Sequence, residues 1–190
     1  MKRKKNNTQN IPAMIVTGIG LIVVGISAFI LLKPAASKTP AGDLVSSVVP
    51  AGVNYPAPGL TLDDLEGNPH SLSDYLGQVV LVNMWASWCP PCVAELPTLN
   101  DFHIDHSGDG FVIIGINDGE ELQVVKDYVG TKGFVFPIWL DPTWLSERAF
   151  NTTNLPSSFV IDRNGQVRLQ WVGAISRAML DQYVLPIIME

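Results

Sequence analysis

Two short stretches of the chain are apolar at almost every position, VVLVNMW at Val79–Trp85 and FVIIGIN at Phe111–Asn117. Runs of this length, rich in β-branched residues and lacking alternation, predict strands covered on both faces. Between them the period lengthens. Val93, Leu96, Leu99 and Phe102 recur every three residues within 91–106, which predicts a helix lying on those strands. Further helices are predicted over Glu120–Val129, near Leu145–Phe150, and from the N-cap residue Ser176 towards Met189. Ser158–Asp162 and Val167–Val172 flank Arg163-Asn164-Gly165-Gln166, whose Asn-Gly pair signals a hairpin. A smaller hairpin is predicted around Leu60–Leu62 and the turn Glu66-Gly67-Asn68. The expectation is an α/β domain with a mixed sheet flanked by helices.

The N-terminal region follows another rule. Ile11 to Leu32 is a run of 22 residues without a charge; as a helix it measures about 33 Å, enough to cross a hydrocarbon layer of about 30 Å. Lys2-Arg3-Lys4-Lys5 precede it, which predicts a cytoplasmic N-terminus and places everything after Leu32 outside. A cleaved signal peptide would carry a shorter apolar region, about 7–15 residues, so an uncleaved anchor is the reading taken. The expected organisation is a basic tail at 1–10, a transmembrane anchor at 11–32, a Pro/Ser/Ala-rich linker at 33–52 and one domain at 53–190.

Charge then narrows the partners. Six of the twelve basic residues lie in the first 40 positions, whereas residues 41–190 carry six basic and eighteen acidic residues. An acidic body without a basic stripe excludes nucleic acid as an expected partner.

The candidate chemistry is concentrated at Trp88-Cys89-Pro90-Pro91-Cys92. Cys89 and Cys92 are the chain's two cysteines, placed where the first central strand gives way to a helix. There the unpaired N–H groups of the first helical turn favour a thiolate, and a reversible disulfide can close. Pro91 suits that turn, although both prolines remove an N–H that could have solvated the sulfur. Cys89 is assigned as the exposed nucleophile and Cys92 as the resolving thiol. Two other uses of the pair fit it less well. A permanent bridge closing so short a loop would stabilise the fold by about 1.9 kcal/mol, against about 3 for a 15-residue loop. A zinc site needs two further ligands, and His70, His103 and His106 do not supply a second pair at the usual spacing. No metal and no cofactor is expected.

Val79 to Pro97, VVLVNMWASWCPPCVAELP, together with Leu155-Pro156-Ser157-Ser158-Phe159-Val160-Ile161-Asp162, resembles the membrane-anchored, extracytoplasmic thioredoxin-like proteins of the TlpA/ResA type, related to the cytochrome c maturation thioredoxins. The resemblance extends over about residues 53–185. It implies a thioredoxin-like fold and thiol-disulfide oxidoreductase activity. It also implies a substrate groove at Trp88, Pro90, Pro91, Leu155 and Pro156, with Pro156 as a cis-proline facing the disulfide and Pro97 as the proline that kinks the active-site helix. Glu95 matches an acidic residue that this family keeps near its redox site, while Asn83 stands where thioredoxin has a buried aspartate. Helical spacing can bring Glu95 under the thiols, where a partly buried carboxyl with a raised pKa would exchange protons with Cys92.

The implied function is reduction of disulfides in secreted proteins such as apocytochrome c, by a monomer that takes electrons from a membrane thiol carrier. An oxidase that introduces disulfides and a non-catalytic module on the same fold are the alternatives, the retained cysteines counting against the module. A thiol peroxidase of related fold would have threonine and proline where this chain has Ala86 and Val82. Of the other conspicuous residues, Trp85, Trp139 and Trp144 are read as packing and Trp88 as a partly exposed lip. His103 and His106 are read as a solvated helix end.

Overall fold

The computed structural model describes residues 47–190. The expected tail, the membrane anchor at 11–32 and most of the linker lie outside the described residues; among those described, no helix is long and apolar enough to cross a membrane.

In chain order the elements are β1 Ala51–Pro56, β2 Thr61–Asp64, β3 Pro69–Ser71, β4 Val79–Trp85, α1 Pro90–His106, β5 Phe111–Asp118, α2 Leu122–Lys132, β6 Ile138–Asp141, α3 Leu145–Phe150, β7 Ser157–Ile161 and β8 Gln166–Val172, followed by helical segments α4 Arg177–Met179 and α5 Leu185–Ile188. The strands form one mixed sheet in the order β1-β8-β7-β4-β5-β6-β2-β3. β4 pairs parallel with β5, and β5 with β6; the other pairings are antiparallel. Every residue of β4 and β5 is buried, as their uninterrupted apolar sequences require.

Alternation along these two strands feeds two cores. Val79, Leu81 and Trp85 with Phe111 and Ile113 pack under α1 (Leu96, Leu99, Phe102), Val125 of α2 and the C-terminal helix (Leu180, Val184). Val80, Val82, Met84, Ile114 and Ile116 point the other way, onto Leu60, Leu72, Trp139, Phe150 and Phe159. β8 serves both sides because its register against β7 shifts between Val167 and Leu169. Across that irregularity Val167 joins the second core, while Leu169 and Trp171 join the first. The turn before β8 forms where the Asn-Gly pair predicts it, with Gly165 at φ 76° and Asp162 Oδ1 accepting from the backbone N–H groups of Asn164 and Gln166.

Several expectations need correction. Ala51 and Gly52, assigned to the linker, pair with Gln170 and Leu169, so the sheet begins before residue 53. Strand β6 was not anticipated: its four residues are too few for a periodic signal. α2 starts two residues later than predicted because the Glu120 carboxylate is held by the loop before it, and it continues past Gly130 to stop at Gly133, φ 68°. The last helix is not uniform. Pro186 offers no N–H to the turn before it, and the backbone widens into a π turn over Leu180–Val184. His103 is buried, not solvated: its Nδ1 accepts the Ile113 N–H at 3.3 Å, and burial pushes its pKa down. Trp139 is fully buried as expected, but Trp144 is 50% exposed.

Gly115 of β5 leaves room for the side chains of Phe136 and Ile138. A Cβ there would lie 2.8 Å from Phe136 Cε2 and 2.9 Å from Ile138 Cδ1. Gly115→Ala is therefore expected to lower stability by about 1–3 kcal/mol in urea titrations, with the far-ultraviolet dichroism of the native state unchanged. A loss below a few tenths of a kcal/mol would show that these rings move aside freely.

Candidate active site

β4 delivers the chain to the end of the sheet at Trp85, and a tight turn follows in which Cys89 N–H donates to Ala86 O at 3.2 Å. Cys89 is extended, φ −93° and ψ 104°, and caps α1. Pro90 and Pro91 fill the first two helical positions, where a missing N–H forfeits no helical hydrogen bond. The first free N–H of the helix is that of Cys92, and it donates to Cys89 Sγ at 3.3 Å. The helix terminus thus solvates the sulfur despite both prolines.

The two cysteines are joined, with S–S 2.03 Å and Cα–Cα 5.3 Å. Cys92 is wholly buried and Cys89 is 4% exposed, so the sulfur expected to be exposed is nearly covered in the disulfide form. The adjacent Trp88, at 68% exposure, stands open at the lip. Pro97 lies inside α1, where it withholds the N–H that Val93 O would otherwise receive.

One turn below Cys92, Glu95 points into the molecule and is 1% exposed. The burial is deeper than helical spacing alone suggested. Its Oε1 accepts Asn83 Nδ2 at 2.8 Å and its Oε2 the Ile175 backbone N–H at 3.0 Å. Asn83 also donates to Ser158 Oγ at 3.0 Å, which ties β4, β7, α1 and the segment after β8 together around one carboxyl group. Burial pushes the Glu95 pKa up to about 7, and the two hydrogen bonds oppose that rise without cancelling it.

A cleft of about 390 Å³ opens beside Cys89. Trp88, Pro90 and Pro91 line one side and Leu155 another. Pro156 follows Leu155 through a cis peptide bond and is buried behind it, its carbonyl accepting the Gly173 N–H at 2.8 Å. Of the residues expected in the groove, four line it and Pro156 supports its wall. Asp118, Trp144, Glu147, Thr153 and Asn154 complete the cleft, and the sequence offered no sign that they would meet there. Glu120 is a further residue not anticipated. It accepts from Ser87 N at 2.7 Å, Ser87 Oγ at 2.6 Å and Asn117 Nδ2 at 2.7 Å, pinning the turn that leads into Trp88 and Cys89. A larger groove of about 460 Å³, next to Val48, Phe150 and Trp171, carries no ionisable side chain. Among the described residues no three His, Cys, Asp or Glu side chains lie together so as to hold a metal ion.

Comparison with known proteins agrees with this geometry. A family model described as the AhpC/TSA family matches residues 53–170. The thiol-disulfide oxidoreductase ResA of Geobacillus kaustophilus is 30% identical over 163 residues, 86% of this chain and 94% of that protein. That of Geobacillus thermodenitrificans is 32% identical over 155 residues, 82% and 89%. A crystal structure of a thiol:disulfide interchange protein of the thioredoxin family from Chlorobium tepidum aligns with a TM-score of 0.65 at 34% identity, covering 73% of this chain and 99% of that one. With a thioredoxin-like sheet carrying a Cys-X-X-Cys disulfide at the head of its first long helix, the chain belongs to the AhpC/TSA family, among its thiol-disulfide oxidoreductases.

Proposed function

We propose that this protein reduces disulfides of secreted proteins outside the cytoplasm, held to the membrane by the apolar run at 11–32, with Cys89 and Cys92 as the reacting dithiol. The observation that carries this reading is the placement of one buried carboxyl group, Glu95, a single helical turn below a disulfide that sits at a helix N-terminus. The Cys89 thiolate attacks one sulfur of the substrate disulfide, forming a mixed disulfide and releasing the other sulfur as a thiolate. Cys92 passes its proton to Glu95 and attacks Cys89 Sγ, which releases the second substrate sulfur and closes Cys89–Cys92. Two electrons have then left the dithiol for the substrate; Glu95 releases the Cys92 proton to the solvent, and the two substrate thiolates take up protons from it. Reopening the bridge requires a thiol-electron donor, for which a membrane carrier is the expected class, because an oxidising compartment would otherwise leave it closed. Apocytochrome c is the acceptor that the family resemblance favours.

Three measurements test this. Cys92→Ser should accumulate a mixed disulfide with substrate and Cys89→Ser should form none; equal trapping by both would reverse the assigned roles. The full chain equilibrated in defined thiol/disulfide buffers should show a reduction potential near or below about −270 mV, whereas a value near −120 mV would indicate an oxidase.

The third concerns Glu95. The folded protein holds this proton more tightly than the unfolded chain, so the stability that Glu95 contributes is full below about pH 4.5 and is lost as pH rises through about 7. Glu95→Gln should gain on the wild type by about 3 kcal/mol across that window, and its rate of disulfide exchange should lose the inflection near neutrality. Parallel pH profiles for the two proteins would remove Glu95 from the mechanism.

A further inference from the structure

Strand β5 ends at Asp118, opposite Asp141 of β6. The two carboxylates have different fates. Asp141 turns towards α3, where it accepts from Leu145 N at 2.9 Å and from Ser146 N and Oγ at 2.6 Å each. Asp118 receives no such donors. It is 4% exposed, and its Oδ1 has no hydrogen-bond partner among the described residues. The ionisable groups that face it are acids: Glu147 from α3, close enough to share a proton with it, and Asp141 from β6. Glu120, beyond the strand end, is engaged with Ser87 and Asn117. Among the described residues no lysine, arginine or histidine pairs with Asp118 or Glu147; Arg148, next along α3, donates to Thr143 O instead. A buried carboxylate in this position is satisfied by a proton or by a donor that enters the cleft, and the acids around it favour a cationic one. Burial, then Glu147, push the Asp118 pKa up to about 7, so near neutrality the ionised form remains within reach of such a donor.

Both acids line the cleft beside Cys89, and so do two exposed indoles. Trp144 begins α3 with left-handed backbone, φ 54° and ψ 37°, and its ring lies over Gly119 so closely that a Cβ there would be 2.8 Å from Nε1. The indole is thereby fixed beside the cleft and left half exposed. Carboxylates beside indole faces form the usual environment for an organic cation, and no metal cluster is present among the described residues.

We propose that the cleft beside Cys89 is a specificity subsite for a cationic side chain of the protein substrate, a lysine ammonium or arginine guanidinium near the target disulfide, held by Asp118 and Glu147 against Trp88 and Trp144. The proposal rests on the disulfide-exchange reading of Cys89 and Cys92. The subsite docks the substrate and takes no part in electron transfer, so its effect falls on KM.

The test uses the full chain in detergent and three disulfide-bridged peptides that differ only beside the cystine, carrying arginine, its uncharged isostere citrulline, or glutamate. The wild type should reduce them in that order, with kcat/KM for arginine about tenfold above citrulline, the scale of one charge-assisted hydrogen bond. Asp118→Asn with Glu147→Gln should bring that ratio close to one; because both rates come from the same protein, a general loss of activity divides out. Glu147→Gln alone, at a half-buried position on α3, should also lower it, which keeps the test valid if the double variant does not fold. Equal rates in the wild type, or a preference that survives these changes, would overturn the subsite alone. A full chain that reduces none of the peptides would overturn the disulfide-exchange reading and the subsite with it.

Discussion

A carboxyl group withdrawn from water beneath a disulfide is the constraint around which this domain is arranged. Glu95 can be ionised there only while its oxygens keep the Asn83 amide and the Ile175 backbone N–H. Loss of either partner would leave a buried charge short of a donor, a penalty of several kcal/mol. Asn83 is fixed by its place at the centre of β4, between β5 and β7. Ile175 is fixed by the turn that carries the chain from β8 into the C-terminal helix. The sheet order and the packing of that helix therefore act on the protonation of one side chain.

Acids elsewhere in the same domain behave oppositely, and the difference is one of donors. Asp64 accepts the backbone N–H of Asn68, stands 2.9 Å from the His70 ring and also accepts the Glu66 N–H; its pKa is held well below the usual carboxylate range. Asp118 and Glu95 have fewer donors and less water, and both titrate near neutrality. Glu95 approaches the disulfide from inside the protein, whereas Asp118 lines the cleft outside it. In the proposed mechanism the first takes the proton of Cys92, and in the proposed subsite the second selects the peptide that lies across Cys89.

The centre of this architecture was legible in the sequence because its signals are local and strong. β4 and β5 are buried on both faces and so are apolar throughout, and α1 shows its buried stripe between them. The cysteine motif carries its own context. What escaped was set by tertiary placement. β6 is four residues long and is recognisable by its pairing with β5 and β2, not by any period. His103 looked like part of a solvated helix end, yet α1 turns it into the core, where Ile113 gives it a donor. Asp118 and Glu147 are far apart in sequence, and the parallel pairing of β5 with β6 followed by the Asp141-capped start of α3 brings them together. No spacing rule could have joined them.

The two strands that end the sheet also bear on how the protein coexists with its neighbours. Among the described residues β1 and β3 are the outer strands. β1 closes on Pro56 and its register shifts between Gly52 and Tyr55, while β3 has three residues and opens on Pro69. Proline and irregular register interrupt the row of free N–H and C=O groups that another chain would need in order to add a strand. The secreted proteins proposed as substrates would bring exposed backbone to this sheet. A sheet with such margins can hold a client at its cysteine cleft without becoming a seed for its aggregation.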